Sequence, residues 1–581
     1  MKYSVFVEVL ERASQTNSRL EKTAILAKFL QQLPLDHVNE CVLLLEGRVF
    51  PEWDSQNLGL AAKLVVKAIA SATGHSDVEV MTSFKKLGDL GDLAYELTSA
   101  KKQQTLFSTP LTVKAVFSSL QKIASLEGLK SQDHKLLELN GLLTSASPLE
   151  AKFIIRTVLE DLRVGIAQGT IRDALAYAFF TNNFSYDKEQ NSLFGEVKYP
   201  YTLIDEAKDA IKRALDLTAD ITQVVKHVKE GKELSSIKLK IGTPCRCMLA
   251  RKEKTFAEAF ARTGLPVRVE YKYDGFRMQI HKKGSLVKLF TRRLEDVTKQ
   301  FPDVVAIIQK TVLGDLILDS EVIGYDPKTK KYQPFQHISK RIRRKHDIGI
   351  LAKELPVEVL VFDILLYKEK DQLNKPFSIR LPLLESVIKE VPNQISIAKG
   401  VLVETQEQAQ EFYQASLNAG NEGVMLKDLN GLYQPGGRVS AWIKMKPTMQ
   451  ELDLVIVGAQ WGNGKRSEWL TSFTLACRNE DGELFEIGKV GTGMKEELAE
   501  DAVSFAQLTQ LLEPLVISSQ GKDVRVRPEV IIEVMYEEIQ KSSTYSSGFA
   551  LRFPRVIRLR PDRFFEDIST LDDVSELYYG Q

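Results

Sequence analysis

The spacing of apolar residues predicts a helical first part of the chain. Behind the tetrad Ser147-Pro148-Leu149-Glu150, apolar residues recur at intervals of three and four, which is the period of one helix face. These residues are Leu149, Phe153, Ile154, Val158, Leu159 and Leu162. The tetrad is a capping box with proline at the first helical position, so it marks where this helix begins. Because similar stretches recur and strand alternation is scarce, residues 1–230 are expected to form an all-α domain.

A charged segment and a change of period mark the end of the helical domain. Residues 225–240 (VKHVKEGKELSSIKLK) are rich in charge, which is typical of a linker, and we place a boundary near residue 230. From there to residue 446, short strand-like segments mix with helical ones. The strand-like segments are VRVEYKY at 267–273, LVKLFTR at 286–292, LILDSEVIGYD at 316–326, EVLVFDILLY at 358–367 and EGVMLKD at 422–428. Residues 231–446 therefore form a second predicted domain.

Strand patterns continue after Pro447, with turn signals between them. One such turn is Asp481-Gly482. The strand-like segments are DLVIVGAQ at 453–460, SFTLACR at 472–478, LFEIGKVG at 484–491 and VIIEVMYEEI at 530–539. About five short strands in so short a region are typical of a small closed barrel, which we predict for residues 447–581.

Composition bounds the class of protein. The N-terminus lacks the apolar run of a signal peptide, and no stretch of about 20 uncharged apolar residues occurs, so nothing is expected to span a membrane. Four cysteines are too few for a disulfide framework and lack the paired spacing of a structural zinc site. They are Cys41, Cys245, Cys247 and Cys477. We therefore expect a cytoplasmic protein with reduced thiols.

Positive charge is concentrated in three places, although the net charge is only +1. Residues 268–293 contain eight Lys or Arg against two acidic residues, residues 340–345 contain five, and residues 552–563 contain five arginines. A single basic run is often only a solvated surface. Three runs in a balanced chain favour a polyanionic partner, because positive charge is needed only where a polyanion touches the protein.

The segment Glu270-Tyr271-Lys272-Tyr273-Asp274-Gly275-Phe276-Arg277 is the main candidate for chemistry. A lysine ends a predicted strand there, and a glycine turns the chain soon after it. A lysine attacks phosphorus or a carbonyl carbon only as the free amine. Alone, the KxDG pattern could equally be a surface turn with an incidental lysine.

Later strands add polar residues in a fixed order. Each has an ordinary structural explanation on its own, such as a salt-bridged carboxylate or a solvated strand face, although an unpaired charge inside an apolar strand is costly. The segments are Phe290-Thr291-Arg292-Arg293, Leu318-Asp319-Ser320-Glu321, Phe362-Asp363, Glu422-Gly423-Val424-Met425-Leu426-Lys427 and Trp442-Ile443-Lys444-Met445-Lys446.

In this order and spacing, the segments resemble the six motifs of the covalent nucleotidyltransferase superfamily. The best match is to ATP-dependent DNA ligases of the archaeal and eukaryotic replicative type, over nearly the whole chain. The resemblance implies a DNA-binding domain at 1–230, including LRVGIAQGT at 162–170. It also implies an α+β adenylation (nucleotidyltransferase) domain with antiparallel sheets at 231–446 and an OB-fold β-barrel at 447–581.

The resemblance assigns roles to individual residues. Lys272 would form AMP-lysine, Glu270 would lie at the adenine edge, and Phe362 would stack on the adenine ring. Glu321 and Glu422 would surround the nucleotide and its Mg²⁺ or Mn²⁺, as hard oxygen ligands suit these ions. Positive charge would come from Arg277 and Arg292 near the ribose and phosphates, from Arg438, Lys444 and Lys446 at the phosphates, and from Arg560 and Arg563 in the last motif. In that motif, LRFPRVIRLRPDR, the final arginine stands where the family more often has lysine.

The implied reaction seals nicks in double-stranded DNA during replication, repair and recombination. Lys272 takes AMP from ATP and releases pyrophosphate, the AMP passes to the 5′-phosphate of the nick, and the 3′-hydroxyl then displaces it. We expect a monomer in the cytoplasm of a prokaryote, in keeping with the archaeal type of the resemblance.

Other classes share parts of this pattern. An RNA ligase or an mRNA-capping guanylyltransferase has the lysine motif but does not normally carry such a long helical module. An NAD-dependent ligase would bring a zinc-type cysteine set. A catalytically inactive DNA-binding scaffold would have no need of Lys272 or the two carboxylates.

A short segment suggests a protein partner. Gln103-Gln104-Thr105-Leu106-Phe107 resembles the shortened sliding-clamp-binding motif of archaeal ligases, through Gln103, Leu106 and Phe107. The same residues could equally be a helix end with a buried Leu-Phe pair.

Overall fold

The chain folds into two compact units, Met1–Lys446 and Pro447–Gln581. The computed structural model describes residues 1–54, 56–100, 110–128, 130–333, 335–342, 344, 348–447, 451–462, 466–497 and 503–579. The predicted clamp motif with Gln103, Leu106 and Phe107 lies outside the described residues.

The first 230 residues are mainly helical, and they have their own hydrophobic core. The predicted capping box is present, since Ser147 and Glu150 satisfy each other's backbone N–H groups at the start of the helix that begins with Pro148. The helices described here are α1 Tyr3–Ser14, α2 Arg19–Gln32, α3 Val38–Leu45, α4 Ala62–Thr73, α5 Asp77–Leu87, α6 Leu90–Ser99, α7 Val113–Ser125, α8 Ser131–Ser145, α9 Pro148–Val158, α10 Gln168–Phe180, α11 Ile204–Thr218 and α12 Ile221–Lys229.

The expectation of an all-α region is wrong at one place. After α10 the chain forms an antiparallel hairpin of β1 Thr181–Asp187 and β2 Ser192–Val197. Asp187 caps the turn by accepting the backbone N–H groups of Glu189 and Gln190, and Asn191 adopts the left-handed conformation with φ of 45°. Asp and Asn favour such turns because their short side chains bond the local backbone, and here this outweighs the helical pattern before it.

The charged segment at 225–240 is not a linker throughout. Its first five residues belong to α12, where Ile221, Val224 and Val225 are buried. These residues and Val228 follow helical spacing, so the helix is stabilised by an apolar face, while Lys226 and Lys229 are only partly exposed.

The rest of the first unit is built on two sheets with helices beside them. One sheet has the order β12-β4-β13-β14-β3, and the other has the order β10-β9-β7-β5-β6 with β8 on β7 and β11 on β9. Neighbouring strands are antiparallel except β14 with β3 and β11 with β9. The strands are β3 Leu249–Lys252, β4 Val267–Lys272, β5 Phe276–Lys283, β6 Leu286–Thr291, β7 Leu316–Tyr325, β8 Tyr332–Gln333, β9 Val357–Tyr367, β10 Lys370–Asp371, β11 Ile395–Ile397, β12 Gly400–Val403, β13 Gly423–Asp428 and β14 Arg438–Met445. The helices are α13 Phe256–Thr263, α14 Pro302–Thr311, α15 Phe335–Ile342, α16 Ile348–Glu354, α17 Phe377–Val387 and α18 Gln406–Asn418.

The second unit is rich in strands and resembles half of a barrel. Its main sheet has the order β17-β16-β15-β19-β18, with β20 on β15 and β23 on β20, and β21 and β22 form a separate hairpin. Among the described residues, no pairing joins the ends of this sheet into a closed barrel. The elements are β15 Glu451–Trp461, β16 Leu470–Arg478, β17 Leu484–Val490, β18 Val516–Gln520, β19 Asp523–Val526, β20 Ile531–Met535, β21 Glu538–Lys541, β22 Phe549–Arg552, β23 Arg555–Leu559, α19 Phe505–Leu512 and α20 Leu571–Tyr579.

Within the described ranges, no helix combines the length and the apolar character that crossing a membrane requires. The four cysteines are free thiols, and all of them are buried.

Candidate active site

Lys272 is the last residue of β4, directly before the turn into β5. Side chains alternate along a strand, so Arg268, Glu270 and Lys272 share one face of the sheet. Gly275 is required in the turn, since a Cβ atom at this position would lie 2.5 Å from the carbonyl oxygen of Val322. The lysine is therefore fixed on a central strand, between β12 and β13, and next to the other sheet.

Lys272 forms an ion pair with Glu422. The same Glu422 oxygen lies 2.7 Å from Nζ of Lys446, so one carboxylate is shared by two ammonium groups. The backbone fixes this pairing, because the Glu422 N–H donates to the Lys272 carbonyl oxygen at 2.8 Å and Gly423 is the partner of Lys272 across the strands. The three side chains are only 17–21% exposed, so water screens their charges weakly.

The two predicted metal ligands have opposite pKa shifts. Glu321 keeps some contact with solvent, yet desolvation by the surrounding atoms raises its pKa to about 8, against the opposing charges of Lys272 and Arg277. Burial also acts to raise the pKa of Glu422, but the ammonium groups of Lys272 and Lys446 outweigh it and lower that pKa to about 2. At neutral pH Glu422 is therefore ionised, whereas Glu321 is largely protonated.

Arg277 is held by a carboxylate on the neighbouring strand. It donates to both oxygens of Asp319, which is fully buried, and the hydroxyl of Tyr433 donates to the same carboxylate at 2.7 Å. The guanidinium carbon also lies 5.5 Å from the ring centres of Phe362 and Trp442. Removing one partner of a buried ion pair of this kind lowers the stability of the fold by about 3–5 kcal/mol. Asp319 therefore fixes Arg277 against the rings of Phe362 and Trp442.

Glu270 is also paired, with a lysine that the sequence prediction did not assign. Lys427 Nζ lies 2.7 Å from Glu270 Oε2 and donates to the carbonyl oxygen of Phe362 at 2.9 Å, and both charged side chains are at most 3% exposed. The ammonium lies 4.7–4.8 Å from the ring centres of Phe362, Phe377 and Trp442. Burial raises the pKa of Glu270, while the charge of Lys427 opposes the shift.

The remaining predicted cations of the first unit lie on or beside the same sheets. Lys444, Met425 and Glu270 stand opposite one another on three neighbouring strands, which places Lys444 on the face of Lys272. Arg438 is exposed at the first residue of β14, and Arg292 is exposed in the turn after β6. The structure thus brings Lys444 and Lys446 to the site and leaves the other two arginines at its exposed margins.

Arg560 and Arg563 belong to the second unit, after β23. Arg560 contacts the carboxylates of Asp453, Glu533 and Asp562 at 2.8–3.2 Å and is only 10% exposed. Arg563 is 41% exposed and lies 3.5 Å from Asp453. Arg560 is thus part of an ion-pair network inside its own unit, which sequence spacing did not reveal.

The donor set suits a hard divalent cation only in part. Among the described residues, no group of three or more His, Cys, Asp or Glu side chains could hold a metal ion. Glu321 and Glu422 are nevertheless both close to Lys272, and Mg²⁺ usually takes one or two protein carboxylates together with substrate phosphates. The residues therefore fit a magnesium ion that arrives with a nucleotide.

Three family models match successive parts of the chain. The model described as "DNA ligase N terminus" matches residues 2–176, "ATP dependent DNA ligase domain" matches residues 247–446, and "ATP dependent DNA ligase C terminal region" matches residues 466–563. The middle match contains Lys272, Glu321 and Glu422, and the last one contains Arg560.

Curated relatives match over the full length. The chain is 45% identical to a DNA ligase of Nanoarchaeum equitans, over 100% of this chain and 99% of the relative, and 38% identical to those of Thermococcus fumicolans and Archaeoglobus fulgidus, over 100% and 98%. The solved structure titled Pmar-Lig_PreS3 covers 96% of this chain and 99% of its own, with a TM-score of 0.56 and 16% identity, which shows a shared fold. With the motif residues gathered around Lys272, these matches establish that the chain belongs to the ATP-dependent DNA ligases.

Proposed function

We propose that Lys272 carries the AMP group while this ligase seals nicks in DNA. The observation behind the proposal is the position of Lys272 at the end of a central strand, where it shares Glu422 with Lys446. An ammonium group cannot attack phosphorus. The ion pair with Glu422 therefore has to be released when ATP binds, and the shared carboxylate is the group through which that release would occur.

The reaction then follows in three phosphoryl transfers. The Lys272 amine attacks the α-phosphate of ATP, and the bond to pyrophosphate breaks. AMP next passes to the 5′-phosphate of the nick, and the 3′-hydroxyl finally attacks that phosphate and releases AMP. Because positioning and positive charge supply most of the rate in such steps, we assign Arg277, Lys444 and Lys446 to the phosphates and the ribose, together with Arg292 and Arg438.

We infer that adenine is recognised between Phe362 and Glu270. One oxygen of Glu270 is occupied by Lys427. The charged partner of the other oxygen, among the residues that the structure describes, is Arg268 at 3.8 Å, so this oxygen can accept a hydrogen bond. Adenine carries an amino donor at the position where guanine carries a carbonyl oxygen. A buried carboxylate would accept from the first and repel the second, so the site favours ATP.

Labelling with nucleotides tests this assignment. Incubated with α-labelled ATP, GTP or NAD, the enzyme is expected to retain AMP covalently from ATP only. A site built to hydrogen-bond one group rejects a ligand that leaves it unpaired by a factor on the order of 10⁴. Labelling by GTP at a comparable rate would favour a capping-type enzyme, and labelling by NAD would contradict the predicted cofactor.

A divalent metal belongs to the same proposal. Glu321 and Glu422 would hold Mg²⁺ or Mn²⁺, which when bound would neutralise charge on the ATP phosphates. Glu321 would have to lose its proton on binding, because carboxylates coordinate metal in the ionised form.

We further propose the domain roles implied by the sequence. Residues 1–230 would bind the nicked duplex, residues 231–446 would form the adenylation domain, and residues 447–581 would form an OB-fold whose barrel is closed. The half-barrel of β15–β20 and β23 supports the last of these assignments. We also keep the expectations of a monomer and of a cytoplasmic location.

Phe107→Ala tests the proposed sliding-clamp motif. If Gln103, Leu106 and Phe107 bind a clamp, the variant should seal nicks at the parental rate alone and lose stimulation when an archaeal clamp is added. The reason is that truncating a large apolar anchor often lowers the binding free energy by about 2 kcal/mol or more, which weakens the affinity roughly 30-fold. Equal stimulation of variant and parent would reject the motif, whereas loss of clamp-free sealing would indicate a buried Leu-Phe pair.

A further inference from the structure

Arg246 reaches from the middle region into the helical region. Its guanidinium donates to the side-chain oxygen of Gln168 at 2.6 Å and to Glu52 at 3.0 Å. Gln168 is the first residue of α10 and lies inside the LRVGIAQGT segment, while Glu52 follows α3. Both partners are thus in the part of the chain that the DNA ligase N-terminal model matches.

The backbone of Arg246 is fixed in the same place. Its N–H donates to the carbonyl oxygen of Asp216 near the end of α11, at 2.7 Å, and its carbonyl oxygen accepts the N–H of Gly436 at 3.1 Å. Gly436 has φ of 67°, and a Cβ atom there would lie 2.5 Å from a carboxylate oxygen of Asp216. The end of α11, Arg246 and the loop that leads to Arg438 therefore form one close contact.

The residues next to Arg246 form a wall of the nucleotide site. The carbonyl oxygen of Met248 accepts a hydrogen bond from Arg277. The backbone N–H of Cys245 donates to the side chain of Gln279, which returns a bond to the Cys245 carbonyl oxygen at 3.2 Å. Cys245, Met248 and Gln279 are at most 1% exposed, so the segment on either side of Arg246 cannot move independently of β5.

Apolar packing through this contact is limited. The buried core of the helical region, which includes Leu234, is separate from the core that includes Leu239, Cys245 and Met248, and the partly buried Leu217 of α11 packs against the second core. Interfaces between domains that are small and polar permit relative motion. The few hydrogen bonds of Arg246 then have a large effect on the angle between the helical region and the region that contains Lys272.

We propose that Arg246 is a positioning residue for the two DNA steps, because it holds the helical DNA-binding region against the wall of the nucleotide site. Self-adenylylation involves no DNA and does not require that alignment. Transfer of AMP to the 5′-phosphate and attack by the 3′-hydroxyl do require this alignment. A misplacement of the nick by about 1 Å relative to the Lys272 site is enough to slow both steps. The proposal rests on the proposed role of the Lys272 site.

The test uses the full-length enzyme and separates the steps. For Arg246→Ala, AMP-enzyme formation from ATP should stay within about twofold of the parent, as for a substitution outside a reacting site. AMP transfer from purified enzyme-AMP to saturating nicked duplex, and sealing of a pre-adenylylated nick, should each slow roughly tenfold or more, because charge-assisted hydrogen bonds are lost. Arg246→Lys should recover part of the loss, since it keeps the charge without the fork of donors.

Arg251→Ala is the matched control, because it removes one exposed arginine from β3 without touching this contact. It should leave all three rates unchanged. Glu52→Ala should reproduce part of the defect, and adding it to Arg246→Ala should cause little further loss if the two residues act as a pair.

Two results would overturn the proposal: equal loss in all three assays, which would place Arg246 in the nucleotide site, and unchanged DNA steps. A separate result would contradict Lys272 alone. If the AMP adduct maps to another residue, the step ratios of the Arg246 variants can still be measured and interpreted.

Discussion

Lys272→Ala and Lys272→Arg are both expected to form no acid-labile AMP adduct with ATP. Alanine removes the nucleophile, and the guanidinium of arginine stays protonated at any usable pH. Because the backbone fixes Lys272 at the end of β4, neither variant leaves a primary amine at that position. We expect the labelling rate to fall by at least about 10⁴-fold, as when other enzymes lose their nucleophile.

Two measurements separate the nucleophile from a general effect on the fold. Lys283→Ala, at the exposed end of β5, removes a lysine from the next strand along the chain, which lies in the other sheet, and should label as the parent does. The Lys272 variants should still seal a nick that already carries AMP on its 5′-phosphate, because this last step uses no enzyme-bound AMP. An adduct on either variant would show that Lys272 is not the nucleophile, and a loss of sealing on the pre-adenylylated nick would point to a damaged site.

The sequence predicted the positions of the site residues better than their contacts. The sequence alone shows a lysine at the end of a predicted strand with a glycine turn after it. The structure has β4 before this turn and β5 after it, as the order of residues indicates. In the segment containing Asp319 and Glu321, alternation puts both carboxylates on one face, but it does not show which one is paired. That depends on Arg277, 42 residues away, and on Tyr433, 114 residues away, which only the tertiary structure brings together.

Lys427 is a second residue whose contacts the sequence does not reveal. The sequence predicts a motif in the segment with Glu422 but no role for its final lysine, because a charged side chain on a strand is usually solvated. In the fold it is enclosed by aromatic rings and carries the charge that partly offsets the burial of Glu270. The available signal is a lysine directly after the apolar residues of a strand, and it is a weak one.

The least predictable elements are those in which turn-forming residues compete with the apolar pattern of the neighbouring helix or strand. The hairpin of β1 and β2 follows a helix of ordinary pattern, and its turn is decided by Asp187 and Asn191 rather than by apolar period. Closure of the last domain into a barrel likewise depends on which strands pair at long range. Periodicity predicts each strand but leaves those pairings open.

Arg563→Ala is expected to block self-adenylylation from ATP and to spare sealing of a pre-adenylylated nick. We expect the last motif to act in the ATP step, because fixed positive charge would orient the β- and γ-phosphates so that pyrophosphate leaves in line with the attacking amine. After AMP has reached the DNA, no pyrophosphate remains to be oriented. We expect labelling by ATP to slow roughly 100-fold, in the range for loss of one positioned donor, while single-turnover joining stays near the parental rate.

Arg560 must be separated from Arg563, because its surroundings differ. Three carboxylates contact Arg560. Arg560→Ala therefore leaves Asp453 without its nearest partner and removes one of the two arginines that contact Glu533, and it should lower the melting temperature of the second unit. Arg563, 41% exposed and 3.5 Å from Asp453, can be removed with little such effect. Each single variant is therefore measured in three ways: labelling by ATP, joining of a pre-adenylylated nick, and thermal unfolding. If Arg563→Ala slows labelling and joining by the same factor, the residue contributes to DNA binding or to the fold, and the last motif would not be specific to the ATP step. If Arg560→Ala slows only labelling and leaves the melting temperature unchanged, its ion pairs contribute no stability, and its function is in the ATP step as well.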